Sequence, residues 1–214
     1  MKGNLRGLLL FYLLLVLSGC TRATYLKGAW VNPEYQDGDL HKILVIGVSD
    51  NDTYLRLFED MMSSKLNQLG VVAEPGYTLF PAQKRPDKKE IARRISTEGF
   101  DAMIISQVTG KSTEQIYHPG ETYYRPLPYY YVPPIHSHGW YDYYYQSYEI
   151  IHEPGYVSTY KVVTVQSNIY ATDSEALIWS AVSETVVDGD IEYAITSLVD
   201  TLVDSIVDKG LISY

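Results

Sequence analysis

The chain reads as an α/β protein: a mixed sheet with helices packed on it, in the order β-α-β-α-β, an insertion, then β-β-α. Three observations predict this. Two apolar runs, residues 43–48 and 102–105, are continuous rather than alternating, the first of them rich in β-branched residues, the pattern of strands buried on both faces. Helical periodicities fall between these runs, so strands and helices take turns and the strands can pair in parallel. Near the end, an alternating segment, a turn and a second strand form an antiparallel hairpin ahead of a long amphipathic helix.

Residues 43–48 (Ile-Leu-Val-Ile-Gly-Val) form the first of these strands, and the capping residues of 49–53 (Ser-Asp-Asn-Asp-Thr) then start a helix. Leu55, Phe58, Met62, Leu66 and Leu69 recur at helical spacing, and Gly70 closes the helix. Residues 71–73 are a short second strand, and Pro75, Gly76 and Pro81 punctuate a loop. Pro86 and the acids Asp87 and Glu90 open a second helix whose buried edge is Ile91 and Ile95 and whose stop is Gly99. The next strand starts at Ala102 and runs to about Val108.

From about 110 to 156 the pattern breaks. Ten of the 21 tyrosines lie between Tyr123 and Tyr148, interrupted by prolines, which marks a compositionally biased insertion. Regular alternation resumes at 161–171, with Val163, Val165, Ser167 and Ile169 on one face, and the partner strand spans 177–186. The last helix covers about 190–209, with Ile191, Ile195, Leu198, Leu202 and Ile206 on one face, Asp200, Asp204 and Asp208 on the other, and Gly210 at its end.

The N-terminus carries a different signal. Lys2 and Arg6 precede the apolar run 8–17, which is the layout of a secretory leader and too short to span a bilayer as a helix of ~20 residues. Leu17-Ser18-Gly19-Cys20 resembles the lipobox of bacterial lipoproteins at every position. The resemblance implies cleavage before Cys20, a diacylglycerol on its sulfur and an N-acyl chain on the new amine. Two or more chains anchor stably where one does not. Thr21 rather than Asp after the cysteine implies, by the same resemblance, sorting to the outer membrane; the periplasmic face is the expected side, in keeping with a periplasm-facing lipoprotein. Residues 1–19 are then a removed leader, 20–40 a lipidated N-terminus and tether, and 41–214 one α/β domain with the insertion at about 110–156.

The chain has 17 Lys and Arg against 26 Asp and Glu, a formal net charge of −9, and loss of Lys2 and Arg6 with the leader makes it more acidic still. That balance argues against nucleic acid as a partner. Cys20 is the single cysteine, so no thiol is left for disulfide, redox or nucleophilic chemistry.

The element order, together with the stretch Asn168-Ile-Tyr-Ala-Thr-Asp-Ser-Glu-Ala-Leu-Ile-Trp-Ser180 and the helix ending Lys209-Gly-Leu-Ile212, is similar to a group of bacterial envelope domains. They include the N-terminal domain of the Tol-system translocation protein, the curli-secretion lipoprotein and other periplasm-facing lipoproteins. The resemblance covers about 41–109 and 157–212. It implies a binding or assembly module rather than an enzyme, with no cofactor beyond the lipid on Cys20.

Three patterns could carry chemistry instead. Asp50-Asn-Asp52-Thr53 after a buried strand suggests an aspartyl-phosphate loop. Its Thr stands one position early, and capping of the following helix explains the same residues. Ser158-Thr-Tyr-Lys161 matches Ser-x-x-Lys by letter, but on a strand the two side chains point to opposite faces. His136 and His138, with His118, His152, Asp142 or Glu149 nearby, offer a zinc or copper set, and make a metal-binding protein or hydrolase the alternative reading. The basic residues Lys84, Arg85, Lys88, Lys89, Arg93 and Arg94 read as a solvated helix face, or a surface for an acidic partner.

The insertion is the foremost candidate for function. Tyrosine presents a flat apolar face and a polar tip at low entropic cost, which suits binding surfaces. Tyr129, Tyr130, Tyr131, Trp140, Tyr143, Tyr144 and Tyr145 form the expected partner surface, for an envelope protein or a cell-wall glycan. A hairpin whose tyrosines merely pair across strands, or a largely disordered segment, would show the same composition.

Overall fold

The structure is a computed structural model that describes residues 22–35, 38–80, 87–128 and 139–213. In chain order the elements are β1 (Thr24–Val31), β2 (Lys42–Val48), α1 (Asp52–Gln68), β3 (Val72–Pro75), the single turn α2 (Gly76–Leu79), α3 (Lys88–Glu98) and β4 (Ala102–His118). There follow β5 (Glu121–Pro126), α4 (Trp140–Gln146), β6 (Tyr148–Glu153), β7 (Tyr156–Ala171), β8 (Leu177–Val187) and α5 (Ile191–Asp208). They fall into two compact units. Unit 2 is Thr113–Tyr160, and unit 1 comprises the residues before it and those from Lys161 onward.

Unit 1 is built on a six-stranded mixed sheet of order β1-β8-β7-β4-β2-β3. The expected α/β class holds. β2 lies at the parallel centre, pairing Ile43 with Ala102 and Val45 with Ile104 on β4, and Lys42 with Val72 on β3. Its continuous apolar run is explained by cover on both faces. Ile43 and Val45 face the larger core with Phe58, Met62 and Leu66 of α1 and Leu198, Leu202 and Ile206 of α5. Leu44 faces the smaller core, with Ile95 of α3 and Phe100.

Local signals start and stop the helices as the sequence implies. Asn51 caps α1, accepting from the N–H groups of Thr53 and Tyr54. Asp87 caps α3, and Gly99 ends it at φ 71°, the left-handed region that glycine enters without strain. Asp190 caps α5, accepting from Tyr193 N–H.

One strand was not expected. Residues 24–31, read from sequence as part of a tether, form the edge strand β1, antiparallel to β8 with Thr24 opposite Thr185 and Val31 opposite Trp179. A register shift between Leu26 and Gly28 breaks its alternation, so Thr24 and Leu26 face the core in one phase and Ala29 and Val31 in the other.

Two buried polar arrangements hold the sheet to its surroundings. Glu59 of α1 is only 2% exposed. Its Oε1 accepts from Gly47 N–H at 2.8 Å and its Oε2 from Tyr77 N–H at 2.8 Å, so it ties the carboxyl end of β2 to the α2 turn. Burial pushes this carboxyl above its ordinary range, against the opposing effect of the backbone N–H groups that it accepts from. A Cβ on Gly76 would stand 2.8 Å from the Val45 carbonyl oxygen, so only glycine lets the turn come this close. In the sheet, the hydroxyls of Ser106 on β4 and Ser167 on β7 bond to each other at 2.8 Å in the core. Thr109 on β4 bonds the Thr164 carbonyl on β7. One index rises by three as the other falls by three, so β4 and β7 run antiparallel.

Candidate functional site

Unit 2 takes in the last residues of β4, from Thr113, and the first of β7, up to Tyr160. Its centre is the antiparallel pair β5–β6, with Glu121 opposite Glu153 and Pro126 opposite Tyr148. Pro119-Gly120 and Pro154-Gly155 precede β5 and follow β6, at the same level of the ribbon. There the backbones approach closely. A Cβ on Gly120 would stand 2.5 Å from the Glu153 carbonyl oxygen and 2.8 Å from Gly155 N. A Cβ on Gly155 would stand 2.8 Å from the His118 carbonyl oxygen. Two Pro-Gly steps thus permit a corner that no other residue could occupy without displacement.

Alternation along the pair separates two faces. One carries Glu121, Tyr123 and Arg125 with Glu149, Ile151 and Glu153. It is closed by polar contacts: Arg125 with Glu149 at 2.7 Å, and Tyr123 OH donating to Glu153 Oε1 at 2.9 Å. That bond, made to a carboxylate, holds the Tyr123 phenol above its usual range. The other face carries Thr122, Tyr124 and Pro126 with Tyr148, Ile150 and His152. On it Tyr124 is 63% and Ile150 56% exposed.

The helix α4 adds to the aromatic surface. Its seven residues, Trp-Tyr-Asp-Tyr-Tyr-Tyr-Gln, are all exposed. Trp140 is 82% exposed, and Tyr141, Tyr143, Tyr144 and Tyr145 are all close to half exposed or more. The rings contact one another rather than a core: Trp140 meets Tyr141 edge-on at 5.8 Å, Tyr141 stacks on Tyr145 at 6.4 Å, and Tyr144 meets Tyr148 of β6 at 5.3 Å. No described residue of unit 2 is buried. A two-stranded ribbon is marginal in water at best, and a helix apolar on nearly every side normally lies against something.

The expected partner surface is therefore represented by Trp140, Tyr143, Tyr144 and Tyr145, all exposed on one helix. Tyr129, Tyr130 and Tyr131 lie outside the described residues, as do His136, His138 and Cys20. Tyr124, Tyr148 and Ile150 extend the surface, and the alternation Tyr148-Glu149-Ile150-Ile151-His152 is the signal that marks them.

The other candidate residues are engaged elsewhere. His152 Nδ1 shares a hydrogen bond with the Thr122 hydroxyl at 2.8 Å, His118 stacks on Tyr156 at 4.6 Å, and Glu149 is paired with Arg125. Among the described residues no three metal-ligating side chains converge. Asp50 pairs with Lys111 at 3.0 Å, which holds its carboxyl below the usual range, while Asn51 caps α1. Ser158 and Lys161 both lie on β7, three residues apart. In the basic cluster Lys88 pairs with Glu175, Arg94 reaches Glu90 and the Leu79 carbonyl, and Lys84 and Arg85 lie outside the described residues. No described helix is long and apolar enough to cross a membrane.

No family model matches the chain, and no curated protein matches it. Among solved structures it is similar to the PelC dodecamer from Paraburkholderia phytofirmans, at 12% identity over 89% of this chain and 99% of that one, with a TM-score of 0.46. Lipoprotein GNA1162 from Neisseria meningitidis is similar at 14% identity over 79% and 96%, with a TM-score of 0.37. A PDZ domain protein from Parabacteroides distasonis is similar at 10% identity over 95% and 40%, with a TM-score of 0.40. Likenesses of this size assign neither family nor function.

Proposed function

We propose that the chain is a lipid-anchored protein of the bacterial cell envelope with a non-catalytic binding or assembly role, exercised through unit 2. The observation that carries the reading is the aromatic surface on a ribbon with no buried residue among those described. Exposed aromatic area of this kind marks interaction sites rather than folding cores. The anchor rests on Leu17-Ser18-Gly19-Cys20, and Thr21 favours the outer membrane. An envelope protein or a cell-wall glycan suits the surface, since either offers apolar faces to stack on tyrosine rings and groups for their hydroxyls to bond.

Two experiments test the two halves. Cys20→Ala is expected to abolish labelling by a fatty-acid probe and leave an uncut precursor; normal labelling of that variant sinks the anchor. Replacing residues 117–153 by a short linker is expected to remove the partner found by in-cell crosslinking while unit 1 still unfolds cooperatively. Retention of the same crosslinks would place the binding role elsewhere.

A further inference from the structure

We infer that the aromatic surface of unit 2 docks into the interfacial zone of the bilayer that holds the Cys20 lipid. This rests on the anchor reading above and narrows the binding role of unit 2 to one occupant.

The first argument is the length of chain between the anchor and the fold. Arg22 pairs with Asp204 of α5 at 2.6 Å. Thr24 is already buried: its N–H donates to Ser197 Oγ at 3.0 Å, and its hydroxyl bonds that of Thr185 at 2.8 Å. From Cys20 to Thr24 an extended chain spans at most about 14 Å. An acylated Cys20 therefore holds the Thr24 end of the sheet close to the headgroups, on a leash too short for a freely swinging domain.

The second argument is register. Thr24 lies opposite Thr185 on β8, and two residues further on Val187 lies opposite Lys161 at the unit 1 end of β7. Strand spacing and rise put Lys161 within about 12 Å of Thr24. Within unit 1, the residue that joins the chain to unit 2 thus lies at the sheet end nearest Cys20.

The third is chemistry. Tyrosine and tryptophan concentrate at headgroup depth, where the ring is shielded and the polar tip stays wet. Helix α4 offers Trp140, Tyr141, Tyr143, Tyr144 and Tyr145 with a single charge, Asp142, and the adjoining face of β5–β6 adds Tyr124 and Ile150. The carboxylates Glu121, Glu149 and Glu153 lie on the opposite face of the ribbon and keep their water. A soluble protein or glycan could cover the same rings, but the anchor brings the bilayer to the ribbon root at high effective concentration and needs no search.

The test uses the lipidated full-length protein in vesicles of phosphatidylethanolamine and phosphatidylglycerol, containing a phosphatidylcholine brominated near the glycerol backbone. Fatty-acid labelling confirms the anchor. Trp30→Phe leaves Trp140 as the exposed reporter, and Trp140→Phe leaves Trp30, which pairs with Ser180 about 20 Å along β1 from Thr24. Trp179 is fully buried in both and supplies a constant background that also checks folding. The expected result is a blue shift and loss of most Trp140 emission, with Trp30 emission kept. Labelled protein whose Trp140 emission matches that of detergent-free, unanchored protein would overturn the docking and leave the surface to a protein or glycan partner. Absence of labelling would overturn the anchor and this inference with it.

Discussion

Replacing Glu59 by glutamine tests how the carboxyl end of β2 is held. The carboxylate is 2% exposed and spends one oxygen on Gly47 N–H and the other on Tyr77 N–H, both at 2.8 Å. Glutamine keeps one acceptor and turns the other into an NH₂ facing a backbone donor. One N–H is left unsatisfied, at a cost of about 1–3 kcal/mol. Removing the charge recovers part of the desolvation penalty, so the lower half of that range is the expectation at neutral pH. In a chain of this size that lowers Tm by about 2–8 °C. The pH dependence has a definite sign. Because burial raises the folded carboxyl above its unfolded value, the native state binds the proton more tightly. The Glu59 contribution is then greatest below the unfolded value and declines as pH rises through the folded one. The stability difference between wild type and Glu59→Gln should shrink or reverse in wild type's disfavour over that window as pH rises. Urea unfolding at a series of pH values reads both quantities. A variant as stable as wild type at every pH, or a difference that does not change with pH, would refute this account of the clamp.

Two other substitutions probe the sheet and the ribbon. Ser167→Ala deprives the Ser106 hydroxyl of its partner in the core, a loss of about 1–3 kcal/mol, while the double variant Ser106→Ala/Ser167→Ala costs less than the sum of the two single changes; denaturant unfolding of the four proteins gives the coupling. Gly120→Ala forces a Cβ against the Glu153 carbonyl and Gly155 backbone, so amide exchange within 113–160 should quicken while the unfolding of unit 1 stays where it was; unchanged exchange would mean that the corner yields freely.

The buried elements were legible because burial imposes a pattern. Ile43, Leu44 and Val45 had to be apolar on both faces, since α1 and α5 cover one side and α3 the other. Asn51, Asp87 and Asp190 announced three helix starts because each side chain accepts a bond that the backbone cannot make for itself. β1 escaped notice for a physical reason: it is an edge strand, half its residues face water, and the shift between Leu26 and Gly28 breaks the period that would have marked it. The length of β4 and β7 was hidden in the same way, because beyond Ser112 and before Lys161 no buried face requires apolar residues at every second position. The aromatic surface was legible as composition but not as geometry. Tyrosines crowd the insertion in sequence, yet the division of β5–β6 into a carboxylate face and an aromatic face depends on cross-strand pairing that composition does not encode.

The pairing of β1 with β8 has a consequence for how the chain acquires its structure. Thr24 and Thr185 are 161 residues apart and share a buried hydrogen bond. A chain emerging N-terminus first presents its first strand long before that strand's neighbour exists. β2, α1, β3, α3 and the parallel part of β4 can assemble early, because their contacts are sequential neighbours. β1 must wait for β8, and the sheet keeps an open edge until almost the whole chain is available. Such non-local closure slows folding and lengthens the time for which apolar edges are exposed. A truncation that ends before Leu177 strands β1 without a neighbour, and so removes the first strand of the fold by deleting one of its last.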